Sequence, residues 1–95
     1  MVRYVSLLRF TEKGSAGIKD STQRAESFNL ALSGTGVEIV GQYWTMGSYD
    51  GVVILEADSE KKILHYLAEL SATGAVQPET MRAFDADEFN DIVES

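Results

Sequence analysis

The chain has 95 residues, 44% of them apolar, a net charge of −7, one histidine and no cysteine. Its length suits one domain over residues 1–95, with a core able to hold the fold by a thin margin. The acidity disfavours nucleic acid and anionic membrane surfaces, and a single histidine without cysteine gives little material for a metal or haem site, so no cofactor is expected.

The N-terminal "MVRYVSLLRF" has no uninterrupted apolar core, because Arg9 breaks it. It is neither a signal peptide nor a spanning helix, and the chain reads as soluble and cytoplasmic. Residues 3–10 are predicted as a strand, with Tyr4, Ser6, Leu8 and Phe10 on one face and Val5, Leu7 and Arg9 on the other. "TEKGSAG" is a connector with room for a helical turn. Residues 19–36 are predicted as a helix capped by Asp20 or Ser21 and stopped by Gly34 and Gly36. Ala25, Phe28, Ala31 and Leu32 form its apolar stripe. Arg24, one turn after Asp20, is expected in an ion pair on that helix or with the sheet.

"VEIVGQYWTM" is a second strand, with Ile39, Gly41 and Tyr43 on one face and Val40, Gln42 and Trp44 on the other. "GSYDG" follows, then the most apolar strand, "VVILEA". A hairpin turn at Gly47-Ser48 is expected between them, with Gly47 permitting the reversal. Residues 58–74 form a second helix, capped by Asp58 or Ser59, with Ile63, Leu64, Leu67 and Leu70 inward and His65 outward. "VQPETMRAF" is the last strand, and Pro78 assigns it to a sheet edge, since proline cannot donate to a ladder. "DADEFNDIVES" closes as an acidic helix carrying Phe89, Ile92 and Val93.

The order βαββαβ plus a C-terminal helix predicts an α+β, ferredoxin-like fold: a four-stranded antiparallel sheet with both main helices on one face. The first and third strands are apolar on both faces, whereas a sheet wet on one side should alternate. A second copy packed sheet against sheet would cover the spare face. Burying about 600 Å² of apolar surface per side would contribute roughly 15 kcal/mol before association costs.

The assembled pattern resembles the GYD domain family of small bacterial proteins. The residues that carry it are Tyr4, "FTEKG" (10–14), "IKDSTQRAE" (18–26), "YWTMGSYDGVVILEA" (43–57), "TGAVQPETMRAF" (73–84) and "EF" (88–89). The resemblance implies a ferredoxin-like fold and membership of the dimeric α/β-barrel group. It implies no reaction, because fold does not fix function.

Asp50 is the best catalytic candidate, a carboxylate that a general base requires, but its first expected role is structural: it accepts backbone N–H bonds and fixes the turn before the third strand. Ligand-binding candidates are Tyr4, Tyr43, Tyr49, Asp50, Thr80 and Arg82, polar groups embedded among apolar ones. Arg82 is expected to pair with Asp50 or Glu56, or to hold an anionic ligand. Tyr4, Tyr43 and Trp44 serve equally as core or interface aromatics. No nucleophile elbow, zinc motif, calcium loop or nucleotide fingerprint occurs. Three functions fit: a homo-oligomeric small-molecule-binding or regulatory module, a cofactor-free monooxygenase- or isomerase-like enzyme, and an assembly protein without a ligand.

Overall fold

A computed structural model describes residues Met1–Ser95. The chain runs β1 (Val2–Phe10), α1 (Glu12–Ala16), a short 3-10 turn (Ile18–Asp20), α2 (Ser21–Leu30), β2 (Glu38–Trp44), β3 (Gly51–Ala57), α3 (Glu60–Ala72), β4 (Val76–Ala83) and α4 (Ala86–Glu94). The four strands form one antiparallel sheet in the order β2-β3-β1-β4. That order, with the βαββαβ sequence of elements, is the ferredoxin-like arrangement. Pro78 lies on the edge strand β4, where its missing N–H breaks no ladder.

The register divides the sheet into two faces. Ser6 stands opposite Val53 and Thr80, and Tyr4 opposite Leu55. Val53, Leu55 and Ala57 are buried against Ile63, Tyr66 and Leu67 of α3, and these residues with Val37 make the core. The other face shows Val5, Leu7, Val52, Ile54 and Met81, none of them fully buried. The two-sided apolarity of β1 and β3 is therefore real, and within one chain only one side of it is covered.

Several local expectations need correction. A β-bulge between Ile39 and Gly41 inserts a residue into β2. Ile39 then shares the helix-covered face with Gln42 and Trp44, and Gly41 and Tyr43 turn to the other. On α3 the inward residues are Ile63, Tyr66 and Leu67, whereas Leu64 is exposed. Asp20 and Ser59 occupy the N-cap positions of α2 and α3 but make no side-chain cap bond. Ala31 is exposed.

The β2–β3 connection is a six-residue loop, Thr45 to Asp50, rather than a tight turn at Gly47-Ser48. Thr45 N donates to Asp50 O at 2.9 Å and Thr45 Oγ1 to Tyr49 O at 2.7 Å. Gly47 has no positive φ, and a Cβ there would meet nothing within 4 Å. The glycines with positive φ are Gly34, Gly36 and Gly74, which follow α2 and α3.

Candidate functional site

The C-terminal end of β1 is where the distinctive sequence segments meet. Thr11 caps α1 by accepting from Gly14 N at 3.2 Å, and its own N–H donates to Ala75 O at 3.1 Å. Lys13 Nζ donates to Thr73 O at 2.9 Å. Gly14 is buried so close to Ala75 that a Cβ would lie 2.0 Å from Ala75 O. Only glycine admits that approach. Asp50 closes the same end: its N–H donates to Leu8 O at 2.8 Å, and its Oδ2 accepts from Phe10 N at 2.8 Å.

Above this junction the helices leave a cavity of about 540 Å³. Phe10, Phe28, Val53, Tyr66 and Leu70 supply apolar wall, and Arg24, Gln42 and Asp50 supply polar groups. Its existence follows from the composition of α2. That helix, "STQRAESFNL", is polar for most of its length and buries no residue completely. It therefore lacks the side chains needed to fill the space beneath it.

What holds α2 is a small set of contacts. Asn29 Nδ2 donates to Gln42 Oε1 at 2.7 Å, and Tyr66 Oη donates to Asn29 Oδ1 at 3.5 Å. The Phe28 and Tyr66 rings meet edge to face, with centroids 5.2 Å apart. Arg24 Nη1 donates to Gly17 O at 2.7 Å, and no carboxylate lies within ion-pairing distance of Arg24. The expected pair with Asp20 does not form. Burial raises the Tyr66 phenol above its ordinary pKa.

The sequence candidates separate into three places. Asp50 lines the cavity; Tyr43 borders it along β2, but the bulge turns its side chain to the uncovered face of the sheet. Tyr49 lies on the neighbouring loop, its Oη donating to the Glu79 carboxylate and the Arg9 guanidinium stacked 4.6 Å from its ring centroid. The bond to Glu79 raises the Tyr49 pKa. Tyr4, Thr80 and Arg82 belong to the other half of the helix-covered face and do not line the cavity. There Tyr4 Oη donates to Glu60 at 2.9 Å, which raises its pKa, and Thr80 Oγ1 shares a 2.9 Å bond with buried Ser6.

Arg82 reaches neither Asp50 nor Glu56. Its Nη1 donates to Ala83 O at 2.9 Å, and its guanidinium lies 4.6 Å from the Phe84 ring centroid. Glu56 pairs instead with Arg3, at 2.6 Å. His65 is exposed and pairs with Glu69 one turn on. Sequence reasoning overlooked Phe10, Phe28, Gln42 and Tyr66 as cavity residues and gave Arg24 only an ion pair. The available signal was the polarity of α2 beside that of α3. No three His, Cys, Asp or Glu side chains converge as a metal site would require. No helix is long and apolar enough to cross a membrane.

Comparison with known proteins agrees with this architecture. The crystal structure of FFRP-DM1 superposes with a TM-score of 0.63 at 23% identity, over 88% of this chain and 100% of that one. The crystal structure of TTHA0845 from Thermus thermophilus gives a TM-score of 0.57 at 18% identity, over 90% and 96%. At such identities the likeness is one of fold. A Thermus thermophilus protein named "Glutamine synthetase and cystathionine beta-lyase binding protein" is 27% identical over 84 residues, 87% of this chain and 88% of its own. The GYD domain model matches residues 4–93, nearly the whole chain, and the protein belongs to the GYD domain family.

Proposed function

We propose that this protein is a homo-oligomeric binding module of regulatory type, which takes a small molecule in the cavity beneath α2. The observation that carries the reading is the cavity itself. Its volume of about 540 Å³ falls within the range of small-molecule sites, and its wall is apolar with a few polar groups, as such sites are. An occupant would supply the packing that α2 lacks, so binding and the ordering of α2 are coupled. A relative named as a binding protein for two enzymes supports extending the role to protein partners.

The homo-oligomer rests on the sheet face that one chain leaves uncovered. The chain exposes 6257 Å², where a compact monomer of its mass would expose about 5,400 Å². The excess of roughly 850 Å² reflects the extended shape, 47 × 32 × 18 Å, of which the open sheet face is a part. Val5, Leu7, Val52, Ile54 and Met81 give the uncovered sheet face the apolar centre that a second copy would bury. The sheet-to-sheet pairing of a dimeric barrel is the arrangement proposed.

Native mass spectrometry of protein purified from its own host tests both parts. The expected result is a multiple of the 10.4 kDa chain with a small molecule retained, the latter lost when Ala25→Phe fills the cavity. A bare monomer at micromolar concentration would overturn the reading.

A further inference from the structure

We infer that the ligand of the α2 cavity is an apolar, ring-sized molecule whose polar end is a hydrogen-bond donor, O–H or N–H, read by Asp50. The inference rests on the ligand-binding reading above and adds the chemistry of the occupant. Asp50 is fixed on three sides: its N–H donates to Leu8 O, its carbonyl accepts from Thr45 N, and its Oδ2 accepts from Phe10 N. These bonds hold the carboxylate without using Oδ1, for which the protein supplies no donor. No lysine, arginine or histidine nitrogen lies within ion-pairing distance of it either.

The result is a pre-set acceptor at an apolar wall. A carboxylate held in that way favours an incoming donor, because none of its ordering is left for the binding step. It disfavours an incoming anion by like-charge repulsion. Of the other polar groups in the wall, Asp20, Ser21, Gln23 and Ser27 all come from the α2 side, and two more, Gln42 and Arg24, are engaged in part. Gln42 Oε1 accepts from Asn29, and Arg24 Nη1 is tied to Gly17 O. The walls of the same cavity include Phe10, Phe28 and Trp44, which suit a flat body.

Calorimetric titration with three probes of one size tests the inference: 2-naphthol, its methyl ether 2-methoxynaphthalene, and 2-naphthoate. The first offers an O–H donor, the second only an acceptor, and the third an anion. The wild-type protein should bind 2-naphthol about tenfold more tightly than either of the others, the worth of one hydrogen bond to a charged acceptor. In Asp50→Asn the amide oxygen keeps the Phe10 N–H and the NH₂ turns to the cavity, so the preference for naphthol over its ether should vanish.

Equal binding of naphthol and ether by the wild type overturns the donor inference while leaving the cavity a ligand site. The same holds if naphthoate binds best and Arg24→Gln removes that binding, which would make the ligand an anion read by Arg24. If none of the three binds, the inference falls together with the ligand-binding reading. The wild-type comparison decides the matter even where Asp50→Asn fails to fold.

Discussion

Helices α2 and α3 lie on the same face of the same sheet and do different things. α3 buries Ile63, Tyr66 and Leu67 against Val53 and Leu55. α2 buries nothing completely and roofs a cavity. The difference is set by side chains alone. "ILHYLAEL" carries enough apolar volume to fill the space to the sheet, whereas "STQRAESFNL" does not. One half of the layer is core, and the other is free to be a site.

The largest effects should come from the α3 half. Ile63→Ala removes a fully buried side chain and should lower stability by about 2–5 kcal/mol, while Phe28→Ala on α2 should lose only about 1–2 kcal/mol because Phe28 already borders empty space. Urea melts of the pair sharpen the contrast, and equal losses would break it. At the junction below both helices, Gly14→Ala forces a methyl group onto Ala75 O and should cost about 1–3 kcal/mol.

Asp50→Ala strands the Phe10 N–H and should cost about 1–3 kcal/mol, whereas Asp50→Asn, which retains an acceptor, should cost less. Thermal melts of both variants check this ranking. A midpoint for Asp50→Ala at or above the wild type would mean that the carboxylate is kept for chemistry and not for structure.

Tyr66 links the two helices and supplies a pH test. Burial raises its folded pKa above the unfolded value near 10. Above pH 10 the unfolded chain releases the phenolic proton more readily than the folded one, so stability falls as pH rises through that range. The contribution is fully present below pH 10. Tyr66→Phe should flatten this part of the alkaline decline in urea melts between pH 8 and about pH 12. The smallest effect belongs to Gly47→Ala: it should change stability by less than about 0.5 kcal/mol, because Gly47 has neither a positive φ nor a close neighbour.

Much of the fold was legible because it depends on patterns longer than a single residue. The apolar runs of β1 and β3 marked the two central strands, Pro78 marked the edge, and the glycines after α2 and α3 marked their ends. The bulge between Ile39 and Gly41 was not legible, because one inserted residue inverts an alternation without changing composition. For the same reason simple alternation puts Tyr43 on the wrong face. The site was harder still. Asp50 stood out as a carboxylate beside a strand, but its partner, Phe10 N–H, is 40 residues away along the chain. Arg82 had many carboxylates to choose from and took backbone carbonyls and an aromatic ring. A cavity is missing atoms, and periodicity records only the atoms that are present. It was visible only indirectly, in how little apolar volume α2 brings to a position that α3 fills.

Native-state hydrogen exchange tests the contrast between the two helices most directly. Without ligand, the amides of α2 should exchange through openings well below the global unfolding free energy, while those of α3 exchange only at the global limit. Exchange of both helices at the same global limit would contradict the account, since α2 would then be as firmly seated as the core.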